Sequence, residues 1–155
     1  MKTKLLALIF GSALLMMATS ASGTALRSDV LGLRLGMSQK IVQQRLAKSG
    51  RLEREERGRQ EIWTLLDDPG FGSLLVGYDR EYKVRYITAI ARQGGRQMRY
   101  SDVAALKDAH AENAGGAYHR YTWRLKPGKK APGYFIIAEG RDPQYLTSFS
   151  IKQQK

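Results

Sequence analysis

Short strand-like segments, separated by turn residues, fill most of this chain and restrict the folds that it can adopt. The clearest is residues 118–126, where His119, Tyr121, Trp123 and Leu125 alternate with polar side chains. This period of two predicts a strand with one face on a hydrophobic core. Six more strands are predicted, at residues 51–57, 61–66, 72–79, 81–92, 134–139 and 145–152. We therefore expect an antiparallel sheet.

Two helices are predicted, and each follows a serine that can cap a first turn. Ser38 precedes a helix that runs to about Lys48. Ser101 precedes a second helix over residues 102–113, in which Val103, Leu106 and His110 lie on one side at helical spacing. A serine hydroxyl at this position can accept a hydrogen bond from an early backbone N–H group that has no partner within the helix.

The two halves of the chain have the same predicted order of elements, because in each half a helix precedes a run of strands. Trp63 and Trp123 occur in a strand of each half, where we expect both to be buried. This order predicts an α+β fold. The expected fold is a single domain over residues 24–155, made of two helix-plus-antiparallel-strand units (α-β-β-β-β, then α-β-β-β). The units would occupy residues 33–92 and 99–152.

The first 23 residues have the form of a secretory signal peptide. Lys2 and Lys4 precede an apolar run at residues 5–18, and small residues follow up to Gly23. The run is shorter than the about 20 residues that a membrane-spanning helix needs. We therefore expect residues 1–23 to be removed and the mature protein to be periplasmic or secreted.

The chain contains no cysteine. An exported domain without disulfides depends on its hydrophobic core for stability. The absence of cysteine also removes the attachment point for the lipid of a bacterial lipoprotein. We expect a soluble mature protein with no stable membrane span or lipid anchor.

The charge is strongly basic. Without Lys2 and Lys4, 24 of the 26 basic side chains remain against 14 acidic ones, a formal net charge of +10. Such a surface attracts anionic partners. Outside the cytoplasm these are an envelope protein or an anionic lipid or polymer, and no nucleic acid is expected. The alternative, that the charge only keeps the protein soluble, stays open.

Residues 35–46 read LGMSQKIVQQRL, in which Gly36 and Ser38 turn and cap the chain while Val42 and Leu46 lie on the apolar side of the helix. This segment resembles the opening motif of the SmpA/OmlA, or BamE-like, envelope protein family. The doubled unit is similar to the tandem arrangement of the beta-lactamase-inhibitor-protein fold. Both resemblances imply binding through a sheet face rather than catalysis.

No catalytic, metal or cofactor site is predicted. His110 and His119 have no carboxylate or second ligand at the spacing that catalysis or metal binding needs. A Gly-x-Ser-x-Gly nucleophile motif is absent, and capping accounts for Ser38 and Ser101. We therefore expect a protein that is not an enzyme.

Basic and aromatic residues are the candidate binding site. Several of them share one face of the strand at residues 118–126, and others follow in the adjoining turn. Arginine suits such a surface because its guanidinium binds phosphate and carboxylate groups with two parallel hydrogen bonds. The predicted site consists of Arg85, Tyr118, Arg120, Arg124, Lys126, Lys129 and Lys130. An ordinary solvated sheet face remains the alternative.

These features together predict an exported, soluble, non-enzymatic binding protein of the bacterial envelope. It would hold a protein or an anionic envelope component on a basic sheet face. The alternative is a proteinaceous inhibitor of a secreted hydrolase, which the tandem arrangement suggests.

Overall fold

The computed structural model describes residues 26–114, 116–128 and 132–154, so the predicted signal peptide lies outside the described residues. Within them the chain forms one α-helix and eight strands. Two short 3-10 turns, Tyr100–Asp102 and Leu106–Asp108, precede the fifth strand. The elements are α1 (Gln39–Leu46), β1 (Gly50–Glu56), β2 (Gln60–Leu65), β3 (Phe71–Tyr78), β4 (Val84–Ala91), β5 (His110–Ala114), β6 (Tyr118–Leu125), β7 (Tyr134–Gly140) and β8 (Ser148–Gln153).

All eight strands belong to one antiparallel sheet, in the order β1-β2-β3-β4-β8-β7-β6-β5. Strands β1 to β4 follow one another as a meander, and so do β5 to β8. The two meanders meet where β4 pairs with β8, with Ala89 opposite Phe149. Strand β8 therefore lies in the middle of the sheet, between β4 and β7.

The hydrophobic core covers one face of this sheet. A straight row of core residues crosses it in register, from Trp63 through Leu74 and Ala89 to Phe149 and Ala138. Against this face pack the lead-in segment, α1 and the segment that contains the 3-10 turns. They contribute Val30, Leu33, Val42, Leu46, Tyr100 and Val103.

The prediction of buried tryptophans is confirmed. Trp63 is 4% exposed and Trp123 is 3% exposed, and both belong to the core. Trp123 also donates a hydrogen bond from Nε1 to the carbonyl oxygen of Ala105, at 3.1 Å. This bond ties the segment with the 3-10 turns to the covered face of β6.

The predicted fold class, two helix-plus-strand units, is wrong. The described chain is 11% helical and 48% strand, and α1 is its only α-helix. Residues 102–113 form the end of one 3-10 turn, a second 3-10 turn and most of β5 instead of a helix. His110 accordingly lies on an exposed edge strand and not on a packed helix face.

Tertiary contacts explain why residues 102–113 do not form a helix. Residues His110–Ala114 pair with Thr122–Tyr118, which satisfies backbone groups along a whole strand. The bond from Trp123 to the Ala105 carbonyl holds the preceding turn in place, and Asp108 N–H also donates to that carbonyl in the 3-10 pattern. The helical spacing within residues 102–113 is a weak preference beside these contacts.

The other predicted elements are present with shifted ends. Helix α1 follows Ser38 as expected, although the Ser38 side chain makes no capping hydrogen bond. The segment at residues 51–57 is the edge strand β1, as expected. Its side chains are mostly exposed, and Arg51 forms an ion pair with Glu53 at 2.7 Å. Charged side chains on an edge strand hinder pairing with other chains.

Candidate binding face

The face of the sheet opposite the core is called the open face here. None of the buried hydrophobic residues in the described chain lies on it. Because side chains alternate along each strand, the open face carries the residues between the core positions. From β2 to β6 they are Gln60, Ile62, Thr64, Ser73, Leu75, Gly77, Tyr86, Thr88, Ile90, Ser148, Ser150, Lys152, Phe135, Ile137, Glu139, Arg120, Thr122 and Arg124.

Cations and aromatic rings alternate along one row of the open face. Strand register places Tyr86 opposite Lys152, Lys152 opposite Phe135, and Phe135 opposite Arg124. Arg85 joins this row at the Tyr86 end. We call Arg85, Tyr86, Lys152, Phe135 and Arg124 the basic row. The row from Tyr86 to Arg124 spans three strand spacings, about 14 Å.

A β-bulge brings Arg85 to the basic row. Gly77 pairs with Tyr86 and Tyr78 pairs with Val84, so Arg85 is the extra residue of β4. A bulge re-aims a side chain relative to the regular alternation. The Arg85 guanidinium lies 5.8 Å from the centroid of the Tyr86 ring. At the other end of the row, the Arg124 guanidinium lies 5.8 Å from the centroid of the Phe135 ring.

The cations of the basic row form no ion pairs among the described residues. In the part of the chain that the structure describes, Arg85, Lys152 and Arg124 form no ion pair within 4.0 Å. All three are exposed, whereas the rings of Tyr86 and Phe135 are half-buried. An acidic partner would therefore meet three cations that no ion pair neutralises.

The Tyr86 ring is held flat against the sheet. It lies over Gly77, where a Cβ would overlap the ring. Its hydroxyl donates to Oε1 of Gln60 on β2. Burial raises the pKa of this phenol, and Arg85 opposes the shift. The neutral ring therefore forms a fixed platform beside Arg85.

Arg120, unlike the cations of the basic row, lies opposite acidic residues on both neighbouring strands. It lies in register between Glu112 of β5 and Glu139 of β7, and its Nε is buried without a hydrogen-bond partner. Burial raises the pKa of Glu139, and the Glu112 carboxylate adds to the effect. Two flanking carboxylates make Arg120 a poor anion site.

The structure brings only part of the predicted site together. Arg85 and Arg124 share the basic row, although β8 and β7 separate their strands. Tyr118 begins β6 on the open face, and Lys126 is exposed just after β6. Lys129 and Lys130 lie outside the described residues.

Sequence reasoning missed Tyr86, Lys152 and Phe135. Their alternation within each strand was visible, but the row exists only because β8 inserts between β4 and β7. No local pattern in the sequence specifies that pairing.

A buried carboxylate, also missed, lies on the covered face. Glu61 is 0% exposed. Its Oε1 accepts hydrogen bonds from Nε2 of Gln39 at 2.8 Å and of Gln43 at 2.6 Å. Its Oε2 accepts from Nε1 of Trp63 at 2.9 Å and from the hydroxyl of Tyr78 at 2.8 Å. Burial, and then the bond to Glu61, raises the pKa of Tyr78. These four donors fix α1 on the sheet and occupy both oxygens.

The histidines do not form a reactive cluster. His110 Nε2 lies 3.6 Å from Oε1 of Glu112 on the exposed edge strand. His119 Nδ1 lies 3.1 Å from Oδ1 of Asn113. Across residues 26–114, 116–128 and 132–154, no three His, Asp or Glu side chains are grouped closely enough to hold a metal ion. Within the same residues, no helix is long and apolar enough to cross a membrane.

Comparisons with known proteins give no match: no family model, no curated protein and no solved structure is detectably similar to this chain.

Proposed function

We propose that this protein is an exported, non-enzymatic binding protein of the bacterial envelope, and that its open face holds an acidic protein surface. The observation that carries the proposal is the basic row. It combines three exposed cations that lack ion-pair partners with two half-buried aromatic rings. Arginine and aromatic side chains are the residues that contribute most to protein interfaces.

The shape of the open face favours a protein over a lipid surface. Eight strands give a sheet roughly 34 Å wide, which is the scale of a standard protein interface. The row next to the basic row carries small or apolar side chains, including Leu75, Thr88 and Ile137. An uncharged strip beside a charged one matches the core and rim of an interface. The basic net charge of the chain adds long-range attraction to an acidic partner.

Charge reversal along the basic row tests this function. The variant Arg85→Glu/Lys152→Glu/Arg124→Glu reverses the three cations, whereas Lys40→Glu/Lys48→Glu/Lys107→Glu makes the same charge change at exposed positions elsewhere. Each protein is immobilised, incubated with envelope extract and chemically crosslinked. Vesicles of phosphatidylglycerol are tested in parallel.

The proposal requires a discrete protein that the wild type and the control variant capture and that the basic-row variant loses. Equal capture by all three proteins, or no captured protein, would overturn it. Binding to vesicles that depends on the basic row, without a captured protein, would also overturn it in favour of a lipid partner.

A further inference from the structure

A pocket of about 380 Å³ opens at the end of the sheet where the lead-in segment meets β4, β7 and β8. We call it the end pocket. It lies on the covered side of the sheet, so it is separate from the open face, and ligand binding there is independent of the proposed function. Its volume falls within the range of small-molecule sites.

The inner surface of the end pocket is apolar. Val84 and Ile151, which are 1% and 0% exposed, belong to the core and line the pocket. Leu35 and Tyr134 also line it and are half-buried against the core. Leu35 and Tyr134 therefore offer accessible apolar surface that an aliphatic or aromatic group would remove from water, and Val84 and Ile151 form the core beneath them.

Two cations, Arg34 and Lys83, also line the end pocket, and both are exposed. Neither forms an ion pair within 4.0 Å among the described residues. The lining also contains one acidic side chain, Asp79, whose Oδ1 accepts the backbone N–H groups of Glu81 and Lys83 at 2.9 Å each. The two cations outnumber this carboxylate, so the charged side chains of the lining favour an anionic ligand over a cationic one.

The volume limits the size of a ligand. A volume of about 380 Å³ is near the lower end of the range for small-molecule pockets, about 300–1,000 Å³. A single aliphatic chain of medium length with one carboxylate fits this limit. Its chain would contact the accessible parts of Leu35 and Tyr134, and its carboxylate would lie near Arg34 and Lys83. We propose that the end pocket binds a medium-chain carboxylate.

Calorimetric titration of the purified protein with decanoate tests this proposal. The neutral decan-1-ol and the short anion acetate serve as comparison ligands. The proposal expects decanoate to bind at least tenfold more tightly than either, because it alone supplies both the chain and the charge.

Three variants locate the binding. Arg34→Gln/Lys83→Gln removes both cations and should weaken decanoate binding at least tenfold. Ser28→Trp, at an exposed lining position, should fill the pocket and abolish binding. Lys48→Gln/Lys107→Gln makes the same charge change elsewhere and should leave the affinity unchanged. An amide NMR spectrum of each variant verifies that the fold is kept.

The absence of decanoate binding to the wild type would overturn the proposal. So would undiminished binding to Ser28→Trp, or acetate binding as tight as decanoate binding. If one variant fails to fold, decanoate-induced amide shifts in the wild type must still map to the residues around Val84 and Ile151.

Discussion

The ring of Tyr86 lies directly over the backbone of Gly77 on the neighbouring strand, in a space that any other residue at position 77 would fill. Glycine in a strand weakens it, because it loses more conformational freedom and offers no side chain to pack. Here the ring covers the glycine and replaces the missing side chain. The same contact fixes an aromatic platform in the basic row, so a local packing feature shapes the candidate binding face.

Gly77→Ala should therefore destabilise the protein. The added methyl group must displace the Tyr86 ring, and such overpacking costs about 1–3 kcal/mol. Gly72→Ala on the same strand is the matched control, because its Cβ would meet Arg92 Cα at an ordinary 3.4 Å. Urea unfolding measures both free energies. Equal free energies of unfolding for the two variants would show that the packing of the Tyr86 ring does not require glycine at position 77.

Glu61→Ala should destabilise the protein by about 3 kcal/mol or more, because it leaves several buried donors without an acceptor. Trp63 and Tyr78 would lose their partner within the core, and α1 would lose its polar contacts with the sheet. Glu55→Ala, at an exposed position on β1, should change the free energy of unfolding by less than about 0.5 kcal/mol. A similar small cost at both positions would contradict the structural role of Glu61.

The contribution of Glu139 to the free energy of unfolding should decrease as pH rises through the acidic range. Its pKa is raised in the folded state, so the folded protein binds this proton more tightly than the unfolded chain does. The stabilisation is complete at low pH and is lost as pH rises from the unfolded glutamate value, near 4.5, through the higher folded value.

Glu139→Gln cannot titrate, so its free energy of unfolding relative to wild type should increase over this pH range and then level off. Unfolding in urea from pH 3.5 to pH 7 measures the difference. Glu112→Gln should move the Glu139 midpoint to lower pH in an NMR titration, because it removes the second cause of the shift. A relative free energy that does not change with pH would refute the raised pKa.

Local patterns in the sequence were enough to place seven of the strands and α1. Alternation in β6 also identified Trp123 as a core residue and Arg124 as a residue of the opposite face. Such patterns depend on near neighbours along the chain, which is why they can be read without a structure.

Long-range pairing accounts for what was missed. The spacing of Val103, Leu106 and His110 predicts a helix across the start of β5, whereas the pairing of β5 with β6 is a tertiary contact. The insertion of β8 between β4 and β7 creates the basic row and is equally non-local. One local signal was available for Glu61: it shares the core side of β2 with Trp63 and Leu65, so a buried carboxylate could have been expected there.

The most direct test of the binding face is photo-crosslinking in living cells from within the basic row. Replacing Phe135 by p-benzoylphenylalanine keeps an aromatic ring at the site, and the same replacement at the exposed Gln44 of α1 is the control. We predict a protease-sensitive adduct from position 135, lost when Arg85, Lys152 and Arg124 are changed to glutamate, and no adduct from position 44. No adduct from position 135, or an adduct from position 44 alone, would contradict the assignment of the open face as the binding surface.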